Sequence, residues 1–519
     1  MTISLKDAGI YLRIICDRIR FGMKRFILNL AMIFGLCASL FAYFKPIADI
    51  RPYFTFDNSP SGIDENSIVW RKTEGLQNDG WWETKQDYWS DAFSRPAFAN
   101  LGFIIGTETV DMVVLVDFIQ DVFVSIRDHE SLYSNIPFVN GGNIDLTFPR
   151  VGYVDYTSLS GNIYLSLGRR KIKWGPGTYG MAISDSQPYL DNLYASFNTD
   201  ISERWMFRYD FTALAFKHFL DISVEANGAP QTTFAHRFSF ENSFLRASFT
   251  EMNNIYGKVP SLLDCTPIAL WHNNFQDDCS NVMIDLSLEG KIGPVRVFGS
   301  FAMDDLRLSN EPNINPSAIG VSAGVEWNVL TGEAFTGKDF SNDAYAIKDR
   351  TFHVPGGLNV SYEFYYCSTF MYNRSVDAGK FTSDFQINSN MGPKKFYDDN
   401  AFFLGFKYGP GAIVHLLKAS YENERLKADL SVQLLSRGSY YIDSPYDGTT
   451  TSEYDPFSLP GNVTDVISAC ASVKYYIQAG LGFDASCTVM HDITHSATAV
   501  KVFAGVSMAL CDIDWSNLL

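Results

Sequence analysis

From Leu426 to Leu434 the chain alternates without a break: Leu426, Ala428, Leu430, Val432 and Leu434 fall on one face of a strand, Lys427, Asp429, Ser431 and Gln433 on the other. The pattern returns with Val282, Ile284, Leu286 and Leu288 against Asp285, Ser287 and Glu289. After a Gly-Lys-Ile-Gly-Pro turn, Val295, Val297, Gly299 and Phe301 oppose Arg296, Ser300 and Asp304. Near the end, Val500, Val502, Ala504, Val506, Met508 and Leu510 alternate with Lys501, Phe503, Gly505 and Ser507. Successive side chains of a strand point to opposite faces, so each run predicts a strand with one apolar and one polar side. Strands of soluble sandwiches run about 5–6 residues. These run about nine to eleven, the length that crosses a bilayer at a tilt. The polar faces carry both signs of charge, which suits a watery lumen.

Only one segment has helical, export-type hydropathy. Residues 23–42 hold Lys24 and Arg25, then an apolar stretch from Phe26 to Phe41, and end on Ala42. That order predicts a secretory signal cleaved near Ala42, with translation starting at Met23 and residues 1–22 upstream of the true start. Leu36 before Cys37 is too large for a lipidation site. No later segment is long and apolar enough for a spanning helix, so a membrane-embedded chain must close into a barrel that satisfies every backbone group. The expected fold is all-β: a transmembrane antiparallel barrel of about 16–20 strands, at roughly 25 residues per strand and connection. Residues 101–512 are assigned to it. Residues 43–100, with Trp70, Trp81, Trp82 and Trp89 among polar neighbours, are left open between a plug, a periplasmic cap and a first strand. Long polar connections are expected at 254–281, 331–352, 373–400 and 436–466, the last an external loop. Aromatics are 15% of the chain. Phe402-Phe403, Tyr440-Tyr441, Tyr475-Tyr476, Trp205 and Trp327 at strand ends predict interfacial girdles. Such a chain lives in outer-membrane lipid, exported through the periplasm and inserted by the barrel-assembly machinery.

Residues 1–42 hold six of the 41 Lys and Arg and two of the 58 Asp and Glu, so the mature chain carries a formal charge of about −21. That argues against nucleic acid as a partner. Six cysteines follow the signal. Cys265 and Cys279 flank one polar loop and are candidates for a disulfide in an oxidising compartment. No C-x-x-C pair and no G-x-S-x-G turn occur, and His491 and His495 fall in a hairpin rather than on a helix. Asp277-Asp278 and Asp304-Asp305 read as solvated loop or lumen carboxylates. Neither an enzyme, a metal site nor a cofactor is expected.

One run stands apart: GRRKIKWGPGTYGMAISDSQP, residues 168–188. Gly175 and Gly177 permit positive φ, and Pro176 between them fixes one angle and removes a donor. Arg169, Arg170, Lys171, Trp174, Tyr179, Ser184 and Asp185 around this turn are the groups that bind sugars, with aromatic faces for C–H groups and charges and hydroxyls for hydroxyls. The same residues also suit a structural corner whose arginines pair with lumen carboxylates, and composition alone favours the corner.

The order Gly168-Arg169, Trp174-Gly175-Pro176-Gly177, Ser184-Asp185 and Pro188 resembles the most recognisable pattern of the capsule-assembly outer-membrane barrel family of the Wzi type. Further elements follow in the family's order. Ala235-His236-Arg237 opens a strand continuing to Phe249-Thr250-Glu251 and Tyr256-Gly257. Asp304-Asp305, Tyr362-Glu363-Phe364, and Leu404-Gly405-Phe406 with Gly409-Pro410 come next. The resemblance covers residues 100–435. It implies a barrel of about eighteen strands and a lectin-like, non-enzymatic role in holding surface polysaccharide, with Arg169, Arg170, Trp174, Tyr179, Ser184, Asp185, His236, Arg237, Asp304 and Asp305 as candidate contacts. The width of the barrel and the charged inward faces at Lys427, Asp429, Arg296 and Asp304 support an alternative, a porin or diffusion channel. The loop at 436–466 supports a third, an adhesin.

Overall fold

The computed structural model describes residues 42–57, 96–118, 144–145, 149–216, 231–262, 264, 266, 271, 279–305, 316–388, 395–442, 444–447 and 455–513. The signal segment, the tryptophans at 70–89, Cys265 and Asp277-Asp278 lie outside them. Eighteen antiparallel strands close into one barrel. In chain order they are β1 (Tyr43–Ile50, continuing as Tyr53–Asp57), β2 (Ala99–Gly106), β3 (Val110–Phe118), β4 (Val151–Thr157), β5 (Ile163–Arg169) and β6 (Asp191–Asp200). Then come β7 (Met206–Phe216), β8 (Gln231–Glu241), β9 (Leu245–Tyr256), β10 (Ser280–Ile292), β11 (Val295–Asp305) and β12 (Ala318–Leu330). The last six are β13 (Gly357–Cys367), β14 (Ala412–Glu422), β15 (Leu426–Arg437), β16 (Thr464–Gln478), β17 (Leu481–Asp492) and β18 (Ala497–Ala509). β1 pairs with β2 on one side and β18 on the other, which closes the ring. Its two halves keep one register across Arg51-Pro52, where Pro52 has no N–H to give the ladder. Residues 43–57 are thus barrel wall.

The alternation sets inside and outside. Leu286, Leu288, Val297, Phe301, Leu430 and Val506 point outward and are exposed, as lipid-facing residues of a barrel are. One rim is made of short turns apart from the connection 331–356. Two of them use the same device: Asn242 Oδ1 accepts from the N–H groups of Phe244 and Leu245 at 2.9 and 2.8 Å, and Asn423 Oδ1 from those of Arg425 and Leu426 at 3.0 and 2.9 Å. An ion pair crosses the base of each, Arg246–Glu241 at 2.7 Å and Lys427–Glu422 at 2.6 Å. Trp205, Phe244, Trp327, Tyr421 and Tyr475 lie exposed around this rim, a girdle of the kind found at a membrane interface. Phe402, Phe403 and Tyr440, expected in a girdle, are instead buried inside the barrel.

The lumen differs from the watery one expected. Inward residues of β10 and β11, including Asn281, Asp285, Glu289, Arg296 and Asp304, are buried. Three connections fill the interior. Segment 170–190 enters from the long-connection rim, as do parts of 368–411. Segment 331–356 enters from the short-turn rim. The first and last meet in a two-residue parallel ladder, Ile172-Lys173 beside Ile347-Lys348. Ile172, Trp174, Met181 and Ile183 pack there with Phe370, Tyr372, Phe403 and Phe406 against Ala302, Tyr365 and Val414 of the wall. A barrel this wide encloses more space than its wall side chains fill, and the chain fills much of it with a hydrophobic core of its own.

Candidate functional site

The run read either as a recognition turn or as a structural corner is the spine of that core. Trp174 is 2% exposed. The Arg237 guanidinium lies 4.6 Å from its ring centroid and Tyr194 meets it edge-on at 6.3 Å. Arg237 is in turn held by Asp210 at 2.6 Å and Asp349 at 2.6 Å. Gly175 takes φ +102°, and its N–H donates to Asp349 at 2.8 Å. Gly177 does not take positive φ among the described backbone; its constraint is space, since a Cβ there would sit 2.5 Å from the Tyr365 hydroxyl. Thr178 then donates from its N–H and hydroxyl to Glu363 at 2.7 and 2.6 Å, and Lys418 reaches the same carboxylate at 3.0 Å.

Beyond Thr178 the chain runs along a cavity. Ser184 donates to the Gly405 carbonyl and Ser186 to the Phe403 carbonyl at 3.0 Å, stitching this limb to 403–406. On the far side the limb leaves about 730 Å³ of space against β1 and β16–β18. Tyr179, Ser184, Asp185, Ser186 and Pro188 form one wall, Arg51, Lys474, Asp484, Ser486, Lys501 and Phe503 the other. Phe340, Ser341 and Asn342 lie at the short-turn side. That floor is fixed: Lys338 pairs with Asp49 at 2.7 Å, the Tyr476 hydroxyl donates to the Lys338 carbonyl at 2.6 Å, and Asn342 donates to Asp117 at 3.2 Å. Burial pushes the Lys173 ammonium below its ordinary value, with Asp185 pulling the other way. Burial with Tyr408 alongside holds the Tyr179 hydroxyl well above its usual range. Tyr179 therefore presents a neutral ring and hydroxyl to its neighbours.

The other candidate residues disperse. Arg170 is buried in the wall, 2.9 Å from Asp155 and 3.8 Å from the Tyr153 ring centroid. Arg169 points outward at the long-connection rim, paired with Asp191 at 2.6 Å. Asp304 accepts from the Tyr372 N–H at 2.8 Å and Asp305 pairs with Arg374 at 2.8 Å, so both hold segment 368–381. Ala235-His236-Arg237 and Phe249-Thr250-Glu251 are on two paired strands, not one, with His236 directly opposite Glu251. Arg237 faces the lumen, but His236 faces the bilayer side. It is nonetheless 0% exposed, because Trp271 stacks on it at 4.2 Å and donates its backbone N–H to Glu251 at 2.8 Å. The cavity's cations Arg51, Lys474 and Lys501 escaped sequence reasoning; the inward parity of Lys501 was the one signal available.

A closed ring of eighteen strands, apolar outside and girdled by aromatics, defines a membrane-spanning barrel of the outer-membrane class. Among solved structures the chain is similar to Wzi of Escherichia coli, described as an outer-membrane protein involved in group 1 capsule assembly and a carbohydrate-binding β-barrel, at 14% identity over 93% of this chain and 87% of that one, with a TM-score of 0.48. It is also similar to OpdO of Pseudomonas aeruginosa (9% identity, 90% and 95% covered, TM-score 0.40) and to OprE of the same organism (10%, 90% and 97%, 0.40). No protein-family model and no curated protein sequence matches the chain.

Proposed function

We propose that this barrel binds surface polysaccharide in the lumen cavity, as a capsule-assembly type lectin would, and carries out no catalysis. The observation that carries the reading is the cavity itself. Beside the core formed by the described segments the lumen keeps about 730 Å³ free, within the roughly 300–1,000 Å³ of small-ligand pockets. Tyr179, Phe340 and Phe503 offer ring surface to sugar C–H groups. Asn342, Ser472, Ser486 and Thr488 offer amide and hydroxyl partners to sugar hydroxyls. Phe56, Pro96, Ala97 and Pro188 place its upper part at the long-connection rim, which faces outward in outer-membrane barrels. The resemblance of the Trp174 run to the capsule-assembly family agrees with this reading. Calorimetry of the purified, heat-modifiable barrel against the organism's own surface glycans tests it: saturable binding is expected, and a folded barrel that binds none of them removes the reading.

A further inference from the structure

This inference rests on the polysaccharide reading and specifies the ligand. We infer that the lumen cavity takes an acidic saccharide, whose carboxylates are met by Lys474 and Lys407. The chain as a whole is strongly acidic, with a formal charge of −17, yet six cationic side chains line this cavity against four carboxylates. The carboxylates are already engaged. Asp117 is held by Arg150 at 2.8 Å, Asp343 by Lys171 at 2.8 Å, and Asp185 has Lys348 at 4.0 Å. Asp484 accepts from Arg51 through one oxygen and from Ser507, at 3.0 Å, through the other.

Lys474 shows the consequence. Its cross-strand neighbours are Asp484 on β17 and Lys427 on β15. Asp484 is occupied as described, and Lys427 is a like charge tied to Glu422 at 2.6 Å. Directly opposed like charges destabilise a strand pair, so the ladder gains nothing from a lysine here. Lys407 lies across the cavity on the plug side, 5.4 Å from the Tyr408 ring centroid. Among the described residues neither Lys474 nor Lys407 has a carboxylate within ion-pair distance. Two ammonium groups on opposite walls, with Ser472, Ser486 and Thr488 beside them, present the donors that a sugar carboxylate and its neighbouring hydroxyls accept from.

The test uses three hexameric probes on the full barrel in detergent: galacturonate, maltohexaose and hexaglutamate. The acidic saccharide is expected to bind at least about tenfold more tightly than either other probe, and to weaken as salt rises from about 50 to 500 mM. Lys474→Met with Lys407→Met should remove that preference while heat-modifiable migration persists, and Lys474→Arg with Lys407→Arg should retain it. Equal binding of maltohexaose and galacturonate overturns the inference but leaves the polysaccharide reading standing. Equal binding of hexaglutamate, or an unchanged preference in the folded Met variant, also overturns it. A folded barrel that binds no saccharide removes both.

Discussion

Trp174 is gripped on every side, and its loss should be felt by the whole lumen core. Trp174→Ala removes a buried ring, the cation–π contact with Arg237 and the edge contact with Tyr194, a change costing about 3–5 kcal/mol. The expected result is a heat-modifiable band that melts at distinctly lower temperature, or failure to assemble. Arg169→Ala should differ. Its pair with Asp191 is part-exposed at the rim, and such pairs contribute about 0–1 kcal/mol, so migration and melting should stay within error of the parent. Equal damage from the two substitutions would contradict the assignment of Trp174 to the core. Adjacent candidates part company for a reason intrinsic to strands. His236 and Arg237, or Arg169 and Arg170, are consecutive residues, so they go to opposite sides of the wall. Residue type marked them as interaction groups, but proximity in sequence did not mean proximity in space.

At the scale of elements, the strands were legible and the connections were not. Leu426 to Leu434 and Val282 to Leu288 announce their faces by alternation, and both are wall strands with those faces. Segment 331–356 carries no such periodicity. It reads as one more polar loop, yet its docking inside the barrel depends on scattered partners: Asp49, Asp117, Lys171, Arg237 and Glu289. One contact makes that docking testable by pH. Burial would raise the Asp343 carboxyl, but Lys171 at 2.8 Å, with Lys348 and Lys173 nearby, outweighs it and holds the pKa below the ordinary 3.8. A folded value below the unfolded one favours docking at every pH above about 3.8, and that contribution is lost as pH falls through the lower value. Hydrogen-exchange protection around Asp343 should therefore hold from about pH 7 to 5 and decline below about 4, with Asp343→Asn weakening it at neutral pH. The strap at Trp271 gives a second case. Trp271→Ala exposes the His236–Glu251 pair, 3.1 Å apart, to the bilayer side of β8 and β9, where an uncovered polar pair is costly. Its thermal stability should fall, and His236→Phe with Glu251→Leu in the same background should recover it, because apolar replacement removes the uncovered polar pair.

For the molecule as a whole, the question is what an eighteen-strand wall does with its interior. A barrel of this width is wide enough for an aqueous channel when nothing occupies it, which together with the inward charges was the ground for the alternative of a porin. The interior here is occupied from both rims, and the occupying segments lock to each other through the Ile172-Lys173 and Ile347-Lys348 ladder and the Asp349 contacts with Arg237 and Gly175. The parent barrel should consequently show little or no steady conductance in planar bilayers. Replacing residues 335–351 with a short Gly-Ser link removes the floor of the cavity and the lower half of that lock, while the strand register of β12 with β13 is carried by their own ladder. The shortened barrel should still migrate as a heat-modifiable species, since the ring closes through β1 and β18 rather than through the plug. It should conduct in large, steady steps and lose saturable glycan binding, because the same segment closes the lumen and supports the cavity. Large conductance in the intact protein would place it with open channels, and a silent shortened barrel would mean that segments 170–190 and 368–411 seal the lumen without help from below.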